Sequence, residues 1–172
     1  MIFNFGIPFF VDKVDLEKLH SFNNNFESYW PSQTPTTFHL NNEVPKPVTD
    51  YIVDKLMANI GHINPTLIPY SIHIWRNKYT EKDYQDVHIH PQSHWSFIIY
   101  ETVSKSRTVF CNPAKNLILN QFDCYDQVCP EELKPELEHG DMIIFPSFVE
   151  HYVERGGSGI TISGNLRMIE ND

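Results

Sequence analysis

Basic residues are scarce in this chain. Thirteen Lys and Arg stand against 22 Asp and Glu in 172 residues, a formal charge of −9 with a pI near 5.4. Gripping a phosphate backbone needs a basic face, so nucleic acid is not an expected partner. Cysteine is scarce too. Cys111, Cys124 and Cys129 are an odd number without a regular framework, which argues against a secreted disulfide scaffold. Cys124 and Cys129 could pair, but a reduced cytoplasmic setting fits the count better. Long hydrophobic runs are missing: no segment approaches the ~18 apolar residues of a membrane span. The apolar run from Met1 to Val11 is broken by Pro8 and has no basic flank, so it does not read as a signal peptide. Internal repeats and low-complexity tracts are absent as well.

Hydrophobic residues make up 41% and aromatics 13%, enough to fill a core and too many for a disordered chain. Residues 1–172 are expected to form a single domain, a strand plus helical cover over about 1–65 and a β-rich core over about 66–170. Ile2 to Val11 reads as a strand that joins the sheet. Val14, Leu16, Leu19, Phe22, Phe26 and Tyr29 recur at helical spacing and predict a first helix, with Asp12 or Asp15 as its cap. A polar loop follows from Pro31 to Pro47. Thr49 reads as the N-cap of a second helix, with Ile52, Val53, Leu56, Met57 and Ile60 on one face and Gly61 as its stop. Beyond Thr66 the texture is β. Strands are predicted over Ile68 to Tyr79, Val87 to Glu101, Arg107 to Asn112, Asp141 to Phe145, His151 to Glu154 and Ile160 to Met168. Pro113, Pro130 and Pro135 make the stretch from Asn112 to Gly140 an irregular excursion. The expected class is mainly β with N-terminal helices, packed on one face of an antiparallel barrel or sandwich.

Nine histidines are many for a chain of this size. His88-Ile89-His90 is the strongest chemical signal. Alternate residues of a strand share a face, so both imidazoles point the same way and suit a divalent transition metal. Pro91 then ends regular pairing. The second signal is Gly140-Asp-Met-Ile-Ile-Phe-Pro146-Ser-Phe-Val-Glu-His151. A buried strand running into a proline delivers a third histidine to the same barrel mouth. Three protein ligands would leave open positions on the metal.

Three stretches carry a family resemblance. They are Trp75-Arg76-Asn77-Lys78-Tyr79, His88-Ile-His90-Pro91-Gln-Ser93-His-Trp95-Ser96-Phe-Ile-Ile-Tyr100, and the run from Gly140 to His151 together with Ile162-Ser163-Gly164-Asn165. Together they resemble the small 2-oxoglutarate/Fe(II)-dependent oxygenases of phages and marine bacteria, related to prolyl hydroxylases. The resemblance implies a double-stranded β-helix, or jelly roll, and Fe(II), 2-oxoglutarate and oxygen as reactants in a hydroxylation. It makes His88 the first iron histidine and His151 the distal one. His90 falls where the wider superfamily has Asp or Glu, a feature of the His-x-His-Pro branch. A neutral imidazole there leaves one more positive charge on the metal centre. Tyr100 matches a tyrosine that hydrogen-bonds 2-oxoglutarate. Its even numbering keeps it in step with His88, His90, Ser96 and Ile98, unless a bulge intervenes.

One departure from the family is sharper. The family has an Arg just before the final strand, on the distal carboxylate of 2-oxoglutarate. Aligned on Asn165, that position is Gly159. Arg107 is the first substitute, Arg155 another. Arg167 lies ~26 Å along an extended strand from position 159, too far to serve. The expected cosubstrate residues are therefore Tyr100, Arg107, Ser163 and Asn165, with Thr161 sharing the inward parity.

The remaining candidates have blander roles. His94 is a fourth ligand or, more readily, a loop residue. His73 is a pocket wall or core residue, His62 a partner of a helix C-terminus, and His20, His39 and His139 are solvated. Trp75, Tyr79 and Trp95 line a substrate groove or pack the core, and Asn77 is a cosubstrate contact or a turn residue. Glu150 or Glu154 would supply a carboxylate only if His90 did not bind. The acidic runs at Asp83–Asp86 and Glu131–Glu138 read as solvated faces.

The partner expectations are a small-molecule cosubstrate, a protein or small-molecule substrate and a homodimer, with no nucleic acid and no membrane. Two other functions stay open. A cupin shares the His-x-His and Gly140, Pro146, His151 spacing, but has Glu where His94 or Trp95 stands. A non-catalytic jelly-roll module with a vestigial metal site would explain Gly159.

Overall fold

The computed structural model describes residues 6–20, 25–26, 28–30, 34–39, 43–103, 105–115 and 130–171. In chain order the strands are β1 (Phe10–Lys13), β2 (Ser28–Tyr29), β3 (Pro35–Thr36), β4 (Leu67–Tyr79), β5 (Gln85–His88), β6 (Trp95–Tyr100), β7 (Thr108–Cys111), β8 (Glu132–Leu133), β9 (Asp141–Pro146), β10 (His151–Val153) and β11 (Gly159–Glu170). One α-helix, α1 (Lys46–Ile60), lies between β3 and β4 among the described residues.

The strands form two antiparallel sheets. The larger runs β1-β9-β6-β11-β4-β3-β2 and the smaller β5-β10-β7-β8. From β4 to β11 successive strands alternate between the sheets, except for β7 and β8, which are neighbours in the smaller one; this is the connectivity of a jelly roll. The alternation of side chains along each central strand explains the arrangement. Phe97, Ile99, Met142, Ile144, Ile162 and Leu166 face one way and pack with Val48, Ile52, Leu56 and Ile60 of α1. Ile98, Tyr100, Ile143 and Phe145 face the other way and meet Phe110 and Val149 inside the roll. Strands buried on both faces read as continuous apolar runs, which is why WSFIIY and DMIIFP are almost wholly hydrophobic.

The N-terminal part differs from the sequence expectation. Among the described residues the predicted first helix is a 3₁₀ turn, Leu16–Leu19, capped by the Asp15 carboxylate on the Glu17 N–H, and Ser28–Tyr29 is a strand; Phe22 lies outside the described residues. The run Asn23-Asn24-Asn25 has low helix propensity, so apolar spacing alone did not suffice. The turn is used as an anchor. Leu19 is fully buried under α1, and its carbonyl accepts from Arg76 Nη2 at 3.2 Å. Arg76 also pairs with Glu101 at 2.7 Å, both side chains largely buried. The single helix begins at Lys46 rather than at a Thr49 cap. Pro47 sits in its first turn, where a missing N–H costs nothing, and Gly61 closes it.

The early strand is Phe10–Lys13, beside β9, and not Ile2 to Val11; Pro8 precedes it, and residues 1–5 lie outside the described part. The predicted strand from Val87 to Glu101 is two strands, one in each sheet, separated at Pro91. Most of the proline-punctuated excursion, with Cys124 and Cys129, lies outside the described residues. Cys111 is a free thiol.

Candidate metal centre

His88 ends β5, at the edge of the smaller sheet, and faces His151, the first residue of β10. Opposite them, β5 carries a bulge. His88 pairs with His151 and Gln85 with Val153, three residues against two. The bulge lets both Gln85 and His88 point inward. His90 lies just beyond the strand, and its N–H donates to the Ser147 carbonyl at 3.0 Å. A buried network holds that carbonyl in place. The Ser96 and Ser147 hydroxyls are 2.7 Å apart, and Ser96 donates to Asn165 Oδ1 at 2.9 Å. The Ser147 N–H donates to the His94 carbonyl at 3.0 Å.

One nitrogen from each of His88, His90 and His151 lies within 4.8 Å of the others. His88 Nδ1 donates to the Asp86 carbonyl at 2.7 Å and His151 Nδ1 to the Val149 carbonyl at 3.0 Å. With Nδ1 protonated, Nε2 carries the lone pair on both rings. His90 Nε2 lies 3.2 Å from His151 Nε2. Burial lowers all three pKa values, with the neighbouring histidines adding to the effect for His90 and His151; His90 falls to about 3. Three neutral imidazoles with oriented lone pairs are a donor set for a divalent first-row metal, and they fit iron. No carboxylate joins the cluster among the described residues. Glu154 is paired with Lys134 at 2.8 Å, and Glu150 is exposed.

The cluster opens onto a cavity of about 470 Å³ between the sheets. Tyr100, Arg107, Ser163 and Asn165 all line it, together with Asn77, Tyr79 and Thr161. Registers place these residues in rows. His73, Asn165 and Ser96 lie side by side across the larger sheet, then Trp75, Ser163 and Ile98, then Asn77, Thr161 and Tyr100. On the smaller sheet His88, His151 and Phe110 form one row, and Gln85, Val153 and Thr108 the next. Tyr100 donates to Thr108 at 3.0 Å and accepts from Ser106 at 2.9 Å, while Tyr79 donates to Gln85 at 2.8 Å. These bonds tie the two sheets together across the second row. Burial pushes the phenols of Tyr79 and Tyr100 up, so both stay neutral donors.

Arg107 borders the same end of the cavity. Its Nη1 donates to the Arg155 carbonyl at 2.9 Å, and its side chain lies against Gly156 and Gly157. A Cβ at Gly157 would collide with Arg107 Nε and would lie 2.8 Å from its Cδ. The sequence-based alternative is elsewhere: Arg155 stacks on Tyr84 at 4.4 Å, while Arg167, ruled out by distance along the strand, stacks on Tyr70 at 5.8 Å. Gly159 pairs with Tyr79 and has φ +140°; a Cβ there would lie 2.7 Å from Val103 Cγ1. Val103 fills the space an arginine would need.

His94 is not in the cluster. Its Nδ1 accepts the Met168 N–H at 3.0 Å, which ties the His90 loop to β11. Trp95 packs against Phe10 in the helix-side core rather than lining a groove, and His62 meets the same Phe10 ring. Asn77 is a cavity residue on β4, not a turn residue. Among the cavity residues that escaped the sequence reading are Trp30 and Phe38. They come from a segment without periodicity, so only their aromatic character marked them.

The model of a 2OG-Fe(II) oxygenase family matches residues 73–163, more than half of the chain. No curated protein sequence matches it. Among solved structures the chain is similar to a prolyl-4-hydroxylase from Pseudomonas putida, with 11% identity and a TM-score of 0.61 over 94% of this chain and 92% of that one. It is also similar to HygX from Streptomyces hygroscopicus with nickel and 2-oxoglutarate bound, at 11% identity and a TM-score of 0.56 over 94% and 83%. HygX with hygromycin B bound as well gives 12% identity and the same TM-score and coverage. At such identities the structural likeness is one of fold.

Proposed function

Because the chain belongs to the 2OG-Fe(II) oxygenase family, and is on that ground an Fe(II)/2-oxoglutarate-dependent dioxygenase, we propose that His88, His90 and His151 are its iron ligands and that Tyr100, Arg107, Ser163 and Asn165 bind its cosubstrate. We assign it to the His-x-His-Pro branch of small oxygenases and treat the whole chain as one domain. The convergence of three neutral imidazoles on one cavity between the sheets carries this reading.

When bound, iron supplies the centre at which 2-oxoglutarate and oxygen are converted to succinate and carbon dioxide while a substrate C–H bond is hydroxylated. The chain supplies the positioning. The row of Gln85, Val153 and Thr108 lies two residues, roughly 7 Å, deeper than the row of His151. That depth suits a five-carbon diacid with one end at the imidazoles. Its far carboxylate would meet the Tyr100 and Thr108 hydroxyls and those Arg107 N–H groups not given to the Arg155 carbonyl. Ser163 and Asn165 would donate along its length; the Asn165 Oδ1 is already taken by Ser96, which turns the amide N–H₂ to the cavity. Phe110, Phe145 and Ile98 keep the inner wall apolar and exclude water. The substrate is a protein side chain or a small molecule.

Anaerobic Fe(II) protein titrated with 2-oxoglutarate tests this reading. A visible charge-transfer band should appear, and His88→Ala or His151→Ala should remove it. Iron uptake with no band would overturn it.

A further inference from the structure

Trp30, Phe38 and Trp75 line the cavity, with Trp75 next to Ser163 across the sheet and beside His90, and none of the three is a proposed iron ligand or cosubstrate residue. Their rings are in contact: Trp30 with Phe38 at 4.6 Å between centroids, Phe38 with Trp75 at 4.9 Å, and Trp75 with His90 at 5.7 Å. An unbroken row of rings thus leads from the β2–β3 hairpin to the histidine cluster. Val87, Ile89 and Pro91 line the cavity from β5 and the segment just after it. Val87 and Ile89 are 55% and 45% exposed, so they lie at the solvent-facing edge of the cavity, where a bound group could cover them.

The aromatic side offers faces rather than hydrogen bonds. Trp30 Nε1 is committed to Asn77 Oδ1 at 2.8 Å, and Asn77 Nδ2 lies 3.4 Å from the Ser163 hydroxyl. Of the charged residues of the lining, Lys105, Arg107 and Glu154 come from other elements, and Asp86 lies beside Val87 on β5. The histidine set adds a second constraint. Three neutral imidazoles add no negative charge to a divalent metal, so its charge would be balanced only by the bound 2-oxoglutarate dianion. A cationic substrate group would meet no carboxylate ligand there to pair with, and an anionic one would compete with the cosubstrate for the metal.

We propose that Trp30, Phe38 and Trp75 form the substrate-recognition wall, and that the reacting part of the substrate is an uncharged, flat, apolar group held between these rings and Val87 and Ile89. The charge selectivity rests on the iron-site reading above; the ring wall rests on the packing alone.

Indole, tryptamine and indole-3-carboxylate are suitable probes, one neutral and two of opposite charge. Binding to protein loaded with Ni(II) and 2-oxoglutarate is followed by ligand-observed NMR. Indole should bind more tightly than either charged relative. Trp30→Ala and Phe38→Ala should weaken indole about tenfold, and Trp30→Phe should retain most of the affinity. Val87→Ala, an exposed truncation that leaves the core intact, should weaken it severalfold. Wild-type affinity for indole in folded Trp30→Ala, Phe38→Ala or Val87→Ala protein would overturn the wall. Equal or tighter binding of either charged probe would overturn the charge selectivity. The iron–2-oxoglutarate band is read separately on wild-type protein, so its absence would count against the function proposed above and not against the wall.

Discussion

The Nε2 atoms of His90 and His151 lie 3.2 Å apart, while the other ring nitrogen of His151 faces the Val149 carbonyl at 3.0 Å. The lone pair of His151 is therefore aimed at its neighbour, and a metal ion between the rings satisfies both. A ligand that binds only the folded state raises its stability, by about 2.7 kcal/mol at a hundredfold excess over Kd. Ni(II) or anaerobic Fe(II) should raise Tm measurably, and His151→Ala should abolish the shift. An equal shift in the variant would place the metal elsewhere.

Acid should weaken the metal-free protein in a defined window. An unfolded histidine titrates near 6.5, and His88, His90 and His151 lie lower when folded, His90 at about 3. Below about 6.5 the unfolded chain therefore binds protons that the folded chain refuses. Stability should be flat with respect to these groups above that pH. It should fall steadily as pH drops towards His90's folded value. Urea melts at pH 7.5, 6.5, 5.5 and 4.5 measure this, and a flat profile down to 4.5 would refute it.

Gly159→Arg should not restore the family's cosubstrate arginine. The backbone there has φ +140°, and a Cβ would sit 2.7 Å from Val103 Cγ1 and 2.9 Å from the Thr102 carbonyl oxygen. Backbone strain alone costs about 1–3 kcal/mol. Urea denaturation should show at least that loss, with Gly159→Ala already showing most of it. A stable Gly159→Arg protein with tighter 2-oxoglutarate binding would contradict the packing described.

Arg107→Ala should weaken 2-oxoglutarate binding by about 1.5–3 kcal/mol, roughly tenfold to more than a hundredfold. Gly157→Ala should act in the same direction, since a methyl group there displaces the Arg107 side chain. Titration of the charge-transfer band reads both. Unchanged affinity in the two variants would remove Arg107 from the site.

Ser96→Ala should cost about 1–3 kcal/mol of stability, because Ser147 Oγ and Asn165 Oδ1 lose a buried partner. Metal affinity should fall with it, since Ser147 also holds the His90 N–H. Calorimetry with Ni(II) separates the effects. Lost stability with intact metal affinity would show that the network does not position His90.

Much of the roll was legible because its strands carry their own pattern. The apolar runs at Trp95–Tyr100 and Asp141–Pro146 and the long strand ending at Tyr79 needed only alternation and proline boundaries to be seen. The histidines were legible for the same reason, two on one strand end and one after a proline. What failed depended on tertiary context. The spacing of Val14, Leu16 and Leu19 looked helical, but Leu16–Leu19 is a 3₁₀ turn packed into the α1 core through Leu19. The bulge that turns Gln85 inward leaves no mark in composition. Gly159 was readable as a missing arginine, yet the reason, Val103 in that space, comes from a residue 56 positions earlier in the chain.

The β2–β3 hairpin ends the larger sheet: β3 is in register with β4 at Thr36 and Asn77, and Thr36 and Thr37 hydrogen-bond the Arg76 backbone. Phe38, which follows it, and Trp30, at its base, reach into the cavity. The strands bearing His88 and His151 owe nothing to this hairpin for their pairing. Such a separation makes the chain evolvable in one direction. With the proposed wall as the substrate reader, residues around 30–38 could be rewritten to suit a new substrate while the histidine-bearing strands are inherited unchanged.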